Sequence, residues 1–162
     1  MGGNRTKPLR RQAGAVLLLV LLFVLMTTMA AGGMAQIYQT QTQREKEVEL
    51  LFVGDQYRRA ITSYYNTFAP GAPRSLPPNL DALLYDDRFP SPIQHLRRLY
   101  PDPMTGQLDW VLITDRGGIA GVHSRSQLAP FKTSDFAETD KQFEGAQSYA
   151  AWNFSIKFNE RN

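Results

Sequence analysis

The chain has no cysteine and only two histidines among its 162 residues. The first absence excludes disulfides, thiolate metal sites and a cysteine nucleophile, and says nothing about compartment. His95 and His123 each stand without a second histidine or a local carboxylate at ligand spacing, so they read as surface or packing residues. A nucleophile-elbow serine motif, a zinc-protease helix motif and a phosphate-binding loop are missing as well, and Gly117-Gly118 reads as a turn. No catalytic constellation is left. The chain reads as a non-enzyme that needs no cofactor.

Charge is missing from residues 12–43, where there is no acidic or basic side chain at all. The formal net charge of +3 is therefore unevenly placed. Four of the 18 basic residues, Arg5, Lys7, Arg10 and Arg11, lie within the first fourteen positions, where there is no acid. The other basic residues are balanced by 15 acidic ones, which leaves no general basicity and no nucleic-acid partner. Positive charge directly before an apolar run instead holds that end of a chain in the cytoplasm.

Residues 15–34 read AVLLLVLLFVLMTTMAAGGM. Counted from Ala13, the run makes a helix of roughly 33 Å at about 1.5 Å per residue, against a bilayer core of about 30 Å. One membrane span over residues 15–35 is the plain expectation. Gly32 and Gly33 weaken the helix near its end, by roughly 1 kcal/mol each relative to alanine. The small residues Ala30, Ala31, Gly32 and Gly33 allow close packing against copies of the same helix in lipid. A cleavable secretory signal is the rival reading, with Gly33-Met34-Ala35 offering small residues for a signal peptidase. The run exceeds the usual core of about 7–15 residues, and helical spacing resumes soon after it, which favours a retained span.

From residue 36 to 68 the helix is expected to continue as an amphipathic segment. Leu50, Val53, Tyr57, Ala60, Ile61, Tyr64 and Phe68 recur at spacings of mostly three and four, on one stripe. Tyr57, Tyr64 and Tyr65 read as packing residues. Asn66, Pro70, Gly71 and Pro73 then stop the helix. In the turn-rich stretch that follows, Asn79 is expected to cap a short helix over residues 80–85, and Ser91-Pro92 a second one over 93–100. Arg97 and Arg98 read as its solvated face. Residues 108–114 and 119–124 are predicted strands joined by a hairpin turn at 115–118. Trp152, Phe154, Ile156 and Phe158 alternate with polar residues, which predicts a third strand. The fold class is α+β: a long N-terminal helix on a small antiparallel sheet, the globular part covering residues 69–162.

This layout resembles the type IV pilin-like family, and specifically the pseudopilins of type II secretion systems. The first point of likeness is Arg10-Arg11-Gln12-Ala13-Gly14, a basic leader of residues 1–14 abutting the apolar run. A second is Leu96-Arg97-Arg98-Leu99-Tyr100-Pro101-Asp102-Pro103-Met104-Thr105-Gly106, then Asp109-Trp110, Gly118-Ile119 and Gly121-Val122-His123-Ser124-Arg125-Ser126. The resemblance implies a pilin-like fold, cleavage after Gly14 by a prepilin peptidase on the cytoplasmic face, and Ala15 as the new, N-methylated terminus. Leu17, Leu18, Leu19, Leu21, Leu22, Phe23, Leu25 and Met29 would then pack helix against helix in a filament core.

Two positions depart from the family: Leu19 stands where members usually carry a glutamate, and the small Ala15 where a bulky residue is usual. The function implied is a structural subunit, a pseudopilin or minor pilin, in a hetero-oligomeric filament that supports protein secretion. Its implied partners are other pseudopilins or pilins, the prepilin peptidase, an inner-membrane assembly platform and membrane lipid. Its implied location is the inner membrane, single-pass, with the N-terminus cytoplasmic and the C-terminal domain periplasmic. Related pseudopilins bind calcium, and Asp102, Asp109 and Asp115 could supply oxygen ligands, but they lack a dense alternating acidic pattern and read as exposed turn carboxylates. Two rivals stay open: a membrane-anchored periplasmic binding protein that does not polymerise, and a secreted enzyme behind a signal peptide.

Overall fold

With no proline between Pro8 and Pro70, nothing in the sequence interrupts a helix. A computed structural model of the chain describes residues 10–68 and 71–158, with side chains placed for 14–26, 41–68 and 71–158. In it one helix, α1, runs over Arg10–Asn66 and continues through Gly32 and Gly33. The chain divides into two compact units, Met1–Thr42 and Gln43–Asn162. Of the leader, residues 1–9 lie outside the described part, and so do the side chains of residues 10–13 and 27–40.

In Gln43–Asn162, the apolar stripe of α1 is buried as its spacing requires. Leu50, Val53, Tyr57, Ala60, Ile61 and Tyr64 all belong to the core. Phe68 does not: α1 ends at Asn66, which takes Phe68 off the helical stripe and leaves it 40% exposed. Against this stripe lies a three-stranded antiparallel sheet in the order β1 (Val111–Asp115), β2 (Gly118–His123), β3 (Phe154–Ser155). The architecture is thus α+β, with a small antiparallel sheet packed on a helix.

The hairpin between β1 and β2 turns where Arg116 and Gly117 both take positive φ, 47° and 79°. That pair of left-handed residues suits the twist of an antiparallel hairpin. Helix and sheet come into close contact at Gly54. A Cβ built there would lie 2.5 Å from the Phe154 ring, so the ring rests directly on the helix backbone. Around it Phe143, Trp152, Phe136 and Tyr149 pack as a ring cluster, with Phe143 stacked on Trp152 and the other contacts edge-to-face.

Several expected elements take a different form. The first strand starts at Val111, leaving Leu108 64% exposed. The third keeps its alternation, with Trp152, Phe154 and Ile156 buried, but only two of its residues pair with β2, and one further bond joins Ile156 N–H to Ala120 O. The helix expected at 80–85 shrinks to a single 3₁₀ turn, Asp81–Leu83, though Asn79 Oδ1 does accept the Ala82 N–H at 2.9 Å. No helix forms over 93–100. Its backbone donors are drawn elsewhere: Asp86 and Ile93 bridge each other, and both His95 and Leu96 donate to Leu83 O. Non-local pairing has overridden the local cap signal.

Candidate functional site

Residues 14–26 are an unbroken apolar segment of α1 once Gly14 is passed. Every side chain from 16 to 26 is at least half exposed, Phe23 most of all at 71%. In a helix that is apolar on every side no direction can face water favourably, at about 25 cal/mol per Å² of uncovered apolar surface. Leu17, Leu18, Leu19, Leu21, Leu22, Phe23 and Leu25 all belong to this surface. Gly14 and Ala15 lie in α1 at its start, and a Cβ on Gly14 would meet nothing within 4 Å. Met29 falls outside the described side chains. Among the described residues no helix is long and apolar enough to cross a membrane.

His95 packs against Tyr64, in keeping with a packing role, but one part of its reading needs correction. The His95 ring is not without a carboxylate: its side chain is 1% exposed and its Nε2 lies 3.2 Å from Asp86 Oδ2. Its Nδ1 lies 2.8 Å from the Ser63 hydroxyl. With Nε2 donating to the carboxylate, Nδ1 accepts from Ser63. Asp86, itself fully buried, takes two bonds from the Arg88 guanidinium at 2.8 and 2.6 Å. Arg88 goes on to donate to the carbonyls of Tyr64 and Thr67 at the end of α1, both at 2.9 Å. The Arg88 bonds, working against burial and helped by His95, bring the Asp86 carboxyl down to about 2.

Ser63, His95 and Asp86 have the connectivity of a hydrolytic triad. Ser63 sits inside α1, where backbone N–H groups are committed to carbonyls four residues back and cannot hold a developing oxyanion. The cluster ties two turns of loop to the helix end.

The three aspartates differ in their surroundings. Asp102 is fully buried rather than exposed, accepting from Ser124 Oγ at 2.6 Å and from the Met104 N–H at 2.9 Å. Asp109 bonds the Thr105 hydroxyl and lies 3.5 Å from Arg125, and Asp115 pairs loosely with Arg116 at 3.6 Å. Among the described residues no three acidic or histidine side chains gather where a metal ion could bind. Beside Asp102, the Tyr57 hydroxyl donates to Tyr100 O and accepts the Tyr100 N–H, both at 2.9 Å, and Trp110 Nε1 donates to the same carbonyl at 2.8 Å. Burial pushes the Tyr57 phenol up to about 12. The stretch around Tyr100 to Trp110 is therefore a folding knot on α1.

Residues that the sequence did not single out anchor the other side. Glu47 is buried on α1 and accepts from the Tyr149 hydroxyl at 2.8 Å and from the Phe131 and Lys132 N–H groups at 2.8 and 3.1 Å. A shallow cleft of about 800 Å³ runs along the outer side of α1, between Phe52 and Asp55 on the helix, Asp140 in its loop and Ser155 on β3. Arg58, buried at its wall, pairs with both Asp55 and Asp140.

No protein-family model matches the chain, and no curated protein or solved structure matches it either.

Proposed function

We propose that this chain is a structural subunit of pseudopilin or minor-pilin type, held by its apolar helix and built into a filament with related subunits. The observation that carries the reading is the all-round exposure of residues 16–26, which has no use in water and two uses elsewhere. In lipid, together with residues 27–35, it forms a span. In a filament it packs against like helices through Leu17, Leu18, Leu19, Leu21, Leu22, Phe23, Leu25 and Met29. The basic leader before it sets the cytoplasmic side, and Gly14 followed by Ala15 is the processing point. The polar clusters described above serve to fix loops on α1, which suits a subunit whose work is assembly.

Intact mass of the protein taken from membranes, in cells with an active prepilin peptidase, tests this. A mature chain beginning at Ala15 is expected, and Gly14→Arg should leave the leader attached. A wild-type mass that includes Met1 overturns the processing step. A non-polymerising anchor is the second reading, favoured by the cleft along α1; it predicts an uncleaved chain that stays monomeric in the membrane.

A further inference from the structure

Two unlike surfaces of Gln43–Asn162 complement each other. On the first turns of its helical segment, Val48 and Phe52 are 69% and 55% exposed, flanked by the exposed Glu45 and Glu49. Spacings of three and four put these side chains on one face. Like charges at i and i+4 oppose helix formation by roughly 0.2–0.5 kcal/mol, and the apolar pair between them adds uncovered surface. The second surface lies at the helix end. Arg74 sits over both Tyr65 and Phe68, Arg116 sits over Phe158, and Tyr65 meets Phe158 edge-to-face. Among the described residues, Arg74 has no carboxylate within ion-pair distance, and Arg116 has Asp115 alone, at 3.6 Å.

We infer that the acidic–apolar face of one copy docks on the arginine–aromatic face of the next. Two carboxylates beside two apolar side chains meet two guanidiniums lying on rings, so charge and apolar area are matched together. A polyanion is a poorer fit, since beyond the leader the chain has no basic excess. Along α1, Glu49 and Tyr65 are about 24 Å apart in rise and about 160° apart in direction. Patches so placed cannot satisfy each other across a two-fold axis. The contact is head-to-tail and repeats from copy to copy, in a ring or an open chain. Residues 12–43 carry no charge, so packing between apolar runs has no ionic register, and this contact would supply one.

The inference rests on the filament reading, and cross-linking keeps the two apart. Because the chain lacks cysteine, introduced thiols are the only ones. Full-length Val48→Cys and Phe68→Cys chains, co-expressed in membranes, should be joined to each other by a short bis-maleimide, with little 48–48 or 68–68 product. Reversing Glu45 and Glu49 to Arg, or Arg74 and Arg116 to Glu, should each lower that yield about tenfold by facing like charges. Both reversals together should restore it. If paired Leu22→Cys chains cross-link and 48–68 do not, the docking is overturned and the filament reading stands. A dominant 48–48 product, a failure of the double reversal to rescue, or linkage of these thiols to a different protein also overturns it. No cross-link at any position, with Met1 retained, overturns both.

Discussion

Asp86 sits at the centre of the helix-end cluster, and a buried carboxylate is tolerated only while its partners stay in place. Its carboxyl titrates at about 2 in the folded chain against 3.8 ordinarily, the Arg88 bonds being the main cause. A depressed carboxyl contributes stability that is complete above pH 4 and is lost as pH falls towards 2. The contribution is about 2 kcal/mol. Arg88→Met should leave the buried carboxylate with only His95 and the backbone N–H of residue 88, cost about 3–5 kcal/mol, and shift acid unfolding to higher pH. Both tryptophans are buried in this unit. Their fluorescence during urea titration at pH 7 and at pH 3 reads the effect. A variant as stable as wild type at both pH values would show that the pair is dispensable. Nothing local in the sequence announced this cluster. Asp86 and His95 lie in different turns, and their meeting depends on Asp86–Ile93 bridging and on Leu83 O capturing two N–H groups.

At the scale of elements, the approach of β3 to α1 is set by one missing methyl group. Gly54→Ala would gain up to about 1 kcal/mol in helix propensity and lose more to the Phe154 ring, 2.5 Å from the new Cβ. A net loss of about 1–2 kcal/mol is expected, as for an overpacked core. Phe154→Leu in the same chain should recover part of it, so a double-mutant cycle should give a coupling above about 0.5 kcal/mol; strict additivity would place the ring elsewhere. On the opposite flank, Glu47→Gln keeps the shape but puts an amide N–H₂ where a carboxylate oxygen accepts from two backbone N–H groups or Tyr149. Faster amide exchange at Phe131 and Lys132 is expected, with exchange on β1 and β2 unchanged.

Elements with a strong period were legible in advance: the α1 stripe from Leu50 to Tyr64, the Arg116-Gly117 hairpin, and the alternation through Trp152, Phe154 and Ile156. The false helix at 93–100 came from reading Ser91-Pro92 as a cap, when a cap is weaker than a set of long-range backbone bonds. Asp102 looked exposed because it sits among prolines and glycine. Its burial depends on Ser124, which is far away in sequence and close only once β2 is laid down.

For the whole molecule, the proposed function assigns a different task to each of the two units. The core of Gln43–Asn162 is built from residues of that unit, Leu50 among them. Disturbing one function should therefore leave the other intact, and a pair of substitutions tests both directions. Leu22→Arg places a charge in the apolar run, costing about 2.5–3.5 kcal/mol at the middle of a span. It should move the protein from the membrane fraction to the soluble one while the urea midpoint read by Trp110 and Trp152 stays as in wild type. Leu50→Ala removes a fully buried side chain and should cost about 2–5 kcal/mol of stability. It should lower the urea midpoint while the chain stays with the membrane. Equal membrane retention of Leu22→Arg and wild type would mean that the apolar helix is covered by protein rather than lipid. A lowered urea midpoint for Leu22→Arg would mean that the first unit helps to hold the second.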